Sequence, residues 1–149
     1  MQTKKTAPVK SPVDFDGDLF FNITSLARTI NAVADEEFQI TGLAPSSAFI
    51  LLLANKMPGI SAKEISMFLN LQPSTITRLV DALEAKQYVK RKAAGRNMSL
   101  VPTKKSLALT PKIKTAWNAL NRRINGLVGA ANSRKASAYI GKLHKALSK

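Results

Sequence analysis

The stretch that decides the fold is LQPSTITRLVDALEAKQYVKRK, which runs from Leu71 to Lys92. Pro73 suits the first position of a helix, where its missing N–H group costs no hydrogen bond. Apolar side chains then recur at helical spacing, at Ile76, Leu79, Val80 and Leu83. Polar side chains share another stripe, at Ser74, Thr77, Arg78 and Asp81. The pattern predicts a helix that buries its apolar side and presents hydroxyl and guanidinium groups to solvent.

A second, shorter helix is predicted just before this one. Ser61-Ala62-Lys63-Glu64 matches a capping box, in which the serine and glutamate side chains each accept a hydrogen bond from a free backbone amide. The helix is expected from Ala62 to about Phe68, and Asn70-Leu71-Gln72 forms the turn that follows. Two helices joined in this way are typical of a helix-turn-helix.

A β-hairpin is predicted directly after the helix that begins at Pro73. Tyr88–Lys92 and Met98–Val101 are strand-like runs, and Ala93–Asn97 between them supplies a tip with Gly95 for the turn. The segment from about Ser46 to Val101 therefore indicates a helix-turn-helix followed by a two-stranded wing. A DNA major groove is wide enough to admit the polar side of such a helix.

Helical patterns precede and follow this unit. Apolar spacing predicts one helix from Leu19 to about Phe38, and the nearly all-apolar run from Ala48 to about Asn55 predicts a central helix surrounded by others. Beyond the wing, Thr103 is a candidate cap for a helix that Pro111 is expected to kink or restart. The helical pattern then continues to Val128, breaks over Gly129–Ser133 and resumes as a last helix ending near Leu147. The predicted fold is mainly α with a small β-hairpin wing.

Charge is the strongest compositional feature of the 149 residues, with a formal net charge of +14. All nine acidic residues lie at or before Glu84, whereas the segment from Ala85 to Lys149 has sixteen Lys and Arg residues and no acid. Such a half repels itself unless an anion neutralises it, and a nucleic acid backbone is the commonest candidate. A solubilising surface charge is the alternative; an anionic membrane is a weaker one, because no amphipathic helix has a free apolar face.

Several function classes are disfavoured by composition. The chain has no cysteine and one histidine, His144, which argues against a disulfide framework, a zinc site or histidine-based catalysis. We see no paired carboxylates, nucleophile–base set or phosphate-binding glycine loop, so we expect neither an enzyme nor a cofactor. The longest apolar run, residues 48–54, is too short to span a membrane, and the N-terminus lacks the apolar stretch of a signal peptide. A cytoplasmic location is therefore expected.

The run ISAKEISMFLNLQPSTITRLVDALEAKQYVKR, residues 60–91, followed by a wing that carries an arginine, resembles the MarR family of winged-helix regulators, the multiple-antibiotic-resistance type. The resemblance extends from about Gly42 to Ser106. It implies a homodimer that binds a pseudo-palindromic operator in double-stranded DNA. It also implies four segments: a flexible basic arm over 1–17, an N-terminal dimerisation helix over 18–40, the winged helix-turn-helix domain over 41–102, and C-terminal dimerisation helices over 103–149.

The resemblance also implies which residues contact DNA. Bases and phosphates meet the helix of Pro73 through Ser74, Thr75, Thr77 and Arg78. Ser61 donates to a phosphate at the start of the preceding helix. The wing strand faces phosphates through Lys90, Arg91 and Lys92, and Arg96 at the wing tip enters the minor groove.

Four positions, two in the wing and two directly after it, depart from the family pattern. Ala94 and Gly95 stand where the wing usually has an aspartate and, often, a basic residue. After the wing, Thr103-Lys104-Lys105-Ser106 replaces a typical Thr-Glu-Lys-Gly. These changes predict a wing that is less firmly held and more positive.

Relatives in the family bind phenolic compounds, so a small aromatic or anionic effector is expected, without assigned residues. We expect Trp117 and Tyr139 in the core or at the dimer interface. Six basic residues of the C-terminal segment are expected either on solvated faces or paired across the dimer with acids of the N-terminal segment; they are Lys112, Lys114, Arg122, Arg123, Lys142 and Lys145.

The sequence thus favours a sequence-specific, dimeric transcriptional regulator. Two alternatives stay open. A non-specific nucleic-acid architectural protein would exploit the same charge, and its affinity would fall steeply with salt while showing little sequence preference. A protein-interaction module would keep the winged-helix shape without reading DNA.

Overall fold

The computed structural model describes residues 11–149. The first ten residues of the predicted arm over 1–17 lie outside this range. Within it the chain forms six α-helices and three short β-strands, in the order α1, α2, β1, α3, α4, β2, β3, α5, α6. The bounds are Leu19–Phe38 for α1, Pro45–Lys56 for α2, Ala62–Leu69 for α3, Pro73–Ala85 for α4, Lys104–Val128 for α5 and Ala130–Leu147 for α6. The strands are Ile60–Ser61 (β1), Val89–Ala94 (β2) and Asn97–Pro102 (β3).

The wing is a three-stranded antiparallel sheet in the order β1-β3-β2. Ile60 pairs with Leu100 and Ser61 with Ser99, while β2 pairs with β3 from Val89–Pro102 to Ala94–Asn97. The prediction of a two-stranded wing was wrong in this respect, because a strand of two residues leaves no alternation to detect. β1 joins the start of α3 to the wing, so the sheet and the helix-turn-helix form one structure.

Buried apolar side chains from α2, α3, α4, the sheet and α5 form the core of the unit that begins at Val33. Its largest fully buried members include Phe38, Ile50, Leu51, Ile65, Ile76 and Leu83. α2 contributes Ile50, Leu51 and Ala54, each with no exposed surface, as its nearly all-apolar sequence predicts. Burial of each large side chain contributes about 1.5–3 kcal/mol, and this core holds α3 and α4 in place.

The helix after the wing is continuous across Pro111, so a restart there, one of the two expectations, was wrong. Pro111 lacks the N–H group that would donate to the carbonyl of Leu107, so α5 loses one hydrogen bond. Asn55 holds the turn before the proline from outside: its Nδ2 donates to the Ser106 carbonyl (3.1 Å) and to Thr110 Oγ1 (2.9 Å), and Ser106 Oγ donates to Asn55 Oδ1 (2.7 Å).

α5 and α6 are separated by Gly129 alone, at φ +82°. The break predicted over Gly129–Ser133 is therefore shorter than expected. On α5, Arg123 pairs with Glu36 (2.7 Å) and Glu37 (3.1 Å) of the same chain. This basic residue is thus neutralised within one protomer, where a pair across the dimer was one of our two expectations.

The chain divides into two compact units between Ala32 and Val33, a position inside α1. In the first unit, Asp18 Oδ1 accepts a hydrogen bond from the Phe21 amide (2.7 Å) at the start of α1, and Phe15 stacks on Phe21. Among residues 11–149 no individual helix is long and apolar enough to cross a membrane, although Leu19–Thr41 and Pro45–Lys56, bent by 57° at their junction, pass that test as a pair.

Candidate nucleic-acid interface

α4 exposes the polar side that its sequence predicts. Pro73 occupies the first turn, and Ile76, Val80 and Leu83 are buried. On the outer side Ser74, Thr77 and Arg78 are exposed and Thr75 is half-buried. We call Ser74, Thr75, Thr77 and Arg78 the reading face. Thr77 Oγ1 donates to the Pro73 carbonyl (3.0 Å), which leaves its oxygen free to accept a hydrogen bond.

The turn before α4 fixes the start of this helix relative to α3. Asn70 has a left-handed backbone, at φ +51°, a conformation that asparagine tolerates better than most residues. Ser66 Oγ donates to the Leu71 carbonyl (2.6 Å), and the Leu71 amide donates to the Ser66 carbonyl (3.2 Å). The predicted turn over Asn70-Leu71-Gln72 is confirmed, and it presents α4 beside α3 as a helix-turn-helix.

Ser61 and Glu64 form the predicted capping box at the start of α3. The Glu64 amide donates to Ser61 Oγ (3.2 Å), and Glu64 Oε2 accepts from both the Ser61 amide (2.8 Å) and the Ser61 hydroxyl (2.7 Å). These bonds, the backbone one first, lower the pKa of Glu64 from its ordinary value of 4.5. The Ser61 hydroxyl that we expected to donate to a phosphate therefore has its hydrogen engaged by Glu64.

The wing ends in a tip of two residues, Gly95 and Arg96, shorter than the predicted Ala93–Asn97. Gly95 has φ +61°, and its position as the first central residue fits the glycine that a type II′ hairpin turn requires. Ala94 pairs with Asn97 directly below the tip. Arg96 is exposed at the end of the hairpin. The backbone pairing of β2 with β3 continues to Ala94 and Asn97, directly before and after the tip, and it supports the tip where the family's aspartate is missing.

The three basic residues of β2 do not share one face. Lys90 and Lys92 are exposed, whereas Arg91 points the other way, toward α4, because side chains alternate along a strand. Its two terminal nitrogens pair with Asp81 and Glu84, and its amide donates to Glu84 Oε1 (3.1 Å). Lys90 and Lys92 are thus exposed, as phosphate contacts must be. Arg91 is paired with two carboxylates instead of facing solvent as expected.

Arg91 is the cation with which the two acids of α4, Asp81 and Glu84, form ion pairs. Asp81 and Glu84 lie on the same helix as Arg78, but both pair with Arg91. None of the ion pairs formed among residues 11–149 includes Arg78. Its guanidinium group is therefore not occupied by an acid of the described chain.

The root of the wing is held by the start of α5, a contact that the sequence did not reveal. Thr103 Oγ1 donates to the carbonyls of Gln87 (2.8 Å) and Tyr88 (3.0 Å), and it also caps α5 as predicted by accepting from the Ser106 amide (3.3 Å). Lys105 Nζ donates to the Lys86 carbonyl (2.8 Å) and lies 4.4 Å from the centre of the Tyr88 ring. The end of α4 and the first residues of the wing are thus fastened to α5.

Two further kinds of site, a metal site and an apolar cavity, are compared with the described residues. Within residues 11–149 no three His, Asp or Glu side chains converge in a way that would hold a metal ion. A cavity of about 430 Å³ lies between α2, α3 and α5, lined by Phe49, Leu52, Leu53, Phe68, Leu69 and Trp117. Trp117 packs edge-on against Phe49, with ring centres 5.1 Å apart, and so lines this cavity while remaining 44% exposed.

Comparison with known proteins agrees with this architecture. Residues 43–96, from the start of α2 to the wing tip, match the profile of the MarR family. No curated protein matches the sequence.

Three similar solved structures illustrate the fold. A MarR family transcriptional regulator from Rhodococcus sp. RHA1 aligns with a TM-score of 0.75 at 22% identity, over 89% of this chain and 96% of that chain. A putative MarR family transcriptional regulator from Listeria monocytogenes, complexed with 26mer DNA, has a TM-score of 0.73 at 21% identity, over 87% and 89% of the two chains. CouR from Rhodococcus jostii RHA1, bound to p-coumaroyl-CoA, has a TM-score of 0.74 at 21% identity, over 87% and 94%.

At these identities the likeness to solved structures establishes the fold, and the profile match adds a similarity to the MarR family over residues 43–96. Residues 43–96 are therefore similar to the MarR family, and the chain has the fold of the MarR-type winged helix-turn-helix regulators.

Proposed function

We propose that this protein is a transcriptional regulator that binds a pseudo-palindromic DNA operator as a homodimer. The observation that carries the proposal is the exposed reading face of α4, whose opposite side is buried in the core. A helix held in this way can enter the major groove with its side chains directed at base edges. The similar regulator from Listeria monocytogenes was solved with DNA, which supports the same use of the fold here.

Contacts to the DNA backbone supply most of the affinity in this proposal. Lys90 and Lys92 are exposed on one face of the wing strand, and Arg96 extends from its tip. Phosphate contacts position the domain without reading sequence, and the displaced counterions make binding salt-dependent. Arg96 enters the minor groove, where an arginine is attracted by the strongly negative potential of a narrow groove.

A second copy of the chain is the expected partner of the outer helices. α6 has no buried residue, and large apolar side chains are exposed on α1, α5 and α6, among them Phe20, Leu127, Tyr139 and Leu147. Water-exposed apolar groups of this number favour association. Two copies related by a twofold axis would place two reading faces on adjacent half-sites, about 34 Å apart.

An aromatic effector is the regulator that we propose for this dimer. The cavity of about 430 Å³ is walled by aromatic and aliphatic side chains, which suit a planar apolar ligand. CouR, with a similar fold, was solved with p-coumaroyl-CoA, a ligand that contains an aromatic group. Binding between α2, α3 and α5 would change the position of the DNA-binding helices and thus the spacing of the two half-site contacts.

Selection of bound duplexes from a random pool at physiological salt tests the proposal. We expect enrichment of a short inverted repeat, because two identical reading faces recognise two equal half-sites. Tight binding without enrichment would instead favour the non-specific architectural protein, whose affinity comes from phosphates alone. Absence of duplex binding at low salt would favour the protein-interaction module.

A further inference from the structure

Arg91 sits where the wing meets the candidate recognition helix. Its side chain is 25% exposed, and its guanidinium group bridges Asp81 and Glu84, which are three residues apart on α4 and lie on neighbouring turns. The Arg91 amide also donates to Glu84 Oε1 (3.1 Å), so the same acid holds both the backbone and the side chain of β2. We call Arg91, Asp81 and Glu84 the Arg91 clasp.

The Arg91 clasp has a geometry that only arginine can satisfy. The planar guanidinium group offers several N–H donors in a fixed fork and so reaches two carboxylates at once, whereas a lysine ammonium group acts as a single point charge. The hydrogen bond to Asp81, followed by the bond and charge of Glu84, raises the pKa of Arg91 above its usual range. The cation is therefore committed to α4.

The charges of the clasp argue against a role in phosphate binding. One guanidinium group and two carboxylates leave a net charge of −1, so the clasp as a whole repels a phosphate. Asp81 also continues the polar stripe of Ser74, Thr77 and Arg78, where an unneutralised carboxylate would face the DNA. Arg91 thus offsets the negative charge of Asp81 beside the reading face. It also holds strand β2 against α4.

We propose that Arg91 is a positioning residue of the DNA-binding surface: it joins the wing to α4, so that Arg96 and the reading face engage one half-site as a rigid unit. The inference rests on the proposed function, and it assigns to Arg91 a role different from that of Lys90 and Lys92. The backbone pairing of β2 with β3 then transmits the position set by the clasp to the wing tip.

A set of full-length variants separates positioning from charge. Arg91→Lys keeps the positive charge but cannot bridge both acids. The triple variant Arg91→Ala, Asp81→Asn, Glu84→Gln removes the clasp without leaving bare carboxylates. Lys92→Ala, on the neighbouring residue of the same strand, is the matched control for a phosphate contact. Each is titrated with the duplex enriched by selection and with a scrambled duplex, at several salt concentrations.

We expect the Arg91→Lys and triple variants to bind the enriched duplex about tenfold more weakly, the size of one lost specific contact. Arg91→Lys keeps the wild-type affinity for the scrambled duplex, and the triple variant, which is one charge unit more positive, binds it no more weakly than the wild type does. The salt slope of both variants is not lowered, because no phosphate contact is lost. Lys92→Ala weakens binding to both duplexes and lowers the salt slope by about 1. Wild-type affinity in the triple variant, or a salt slope lowered by about 1, would overturn the proposal.

Amide hydrogen exchange of the free protein distinguishes failure of this inference from failure of the proposed function. The clasp predicts faster exchange over residues 89–102 in the triple variant, with α2 unchanged, whether or not any duplex binds. If the wild type selects an operator and the triple variant exchanges over residues 89–102 at the wild-type rate, the clasp is refuted while the proposed function stands. If the wild type enriches no duplex, the proposed function fails, and exchange still decides whether Arg91 holds the wing to α4.

Discussion

At the scale of single residues, the proposed function makes Arg78 the side chain on which sequence recognition would depend most. It is exposed on α4, and no acid of residues 11–149 pairs with it. If its guanidinium group binds a guanine through two hydrogen bonds, Arg78→Ala should weaken operator binding by about 1–3 kcal/mol and relax the preference at one base pair of each half-site. Titration against duplexes changed at one position measures both effects.

The matched control for that change is Lys86→Ala, which removes one charge beyond the end of α4. Its affinity loss should be similar for every duplex, because it removes no contact to a base. An Arg78→Ala variant that loses affinity equally for all duplexes would show that Arg78 binds phosphate and reads nothing.

Glu64 gives the capping box of α3 a pH dependence. Its pKa is lowered from 4.5 by hydrogen bonds from Ser61, so its charged form is stabilised in the folded protein. That stabilisation is fully present above pH 4.5, the unfolded-state value, and is lost as the pH falls through the lower folded-state value. The free energy of unfolding of Glu64→Gln should therefore lie below that of the wild type at pH 7, and the gap should narrow below pH 4.5. Urea unfolding at several pH values measures it, and a gap independent of pH would contradict the assignment.

Local residue patterns were predictable where the partners are close in sequence. Ser61 with Glu64, Pro73 at the start of α4 and Thr103 before α5 all act within one helical turn, and each is confirmed. The family resemblance groups Arg91 with Lys90 and Lys92 as phosphate contacts. The partners of Arg91 lie seven and ten residues away on another element, although strand alternation alone would have separated it from its neighbours.

At the scale of elements, α5 lacks one backbone hydrogen bond, at Pro111, that a substitution can restore. Pro111→Ala restores the amide that donates to Leu107, and a proline within a helix costs about 3 kcal/mol relative to alanine. The greater freedom of the unfolded chain offsets about 1 kcal/mol of this gain. We expect the free energy of unfolding to rise by about 2 kcal/mol in urea titrations, whereas Lys112→Ala, at the exposed neighbouring position, should change it by less than about 0.5 kcal/mol. A destabilised Pro111→Ala variant would show that α5 needs the proline.

Tertiary packing explains why the predicted break at Pro111 does not end the helix. Asn55 on α2 binds the carbonyl of Ser106 and the hydroxyl of Thr110, and Ile113 and Ala116 beyond the proline are fully buried. These contacts outweigh one missing hydrogen bond. The sequence shows the proline, but it does not show that Asn55 binds the turn before it, because Asn55 lies 51 residues from Ser106.

At the scale of the whole molecule, the charge asymmetry predicts how affinity depends on salt, not which duplex is bound. The sixteen basic residues after Glu84 include cations exposed on the wing, cations exposed on α5 and α6, and the members of ion pairs Arg91 and Arg123. Only those that reach phosphates contribute to the salt slope. The sequence therefore predicts an anionic partner. Which cations are exposed and which are paired with acids can be read only from the folded chain.

The proposed dimer is the property on which two-site recognition would depend, and α6 offers a direct test of it. Tyr139 is 64% exposed and Ile140 41% exposed, although both lie on a helix that packs against α5. Replacing both with glutamate places two charges on the apolar stripe and should leave a monomer, because buried carboxylates would be left without partners. Sedimentation measures the mass, and the far-UV circular dichroism should stay unchanged because the core of residues 33–149 is not altered.

Arg134→Glu changes the net charge by the same amount on another side of α6, and we expect it to remain dimeric and to bind the full inverted repeat as tightly as the wild type. The monomeric variant should bind a single half-site with the affinity of one wild-type domain. Its affinity for the full inverted repeat should fall by at least about a hundredfold, because the second contact is no longer intramolecular. A double variant that stays dimeric would place the interface elsewhere. A wild-type monomer that still selects an inverted repeat would require the two copies to associate only on DNA, with the apolar side of α6 left uncovered in the free protein.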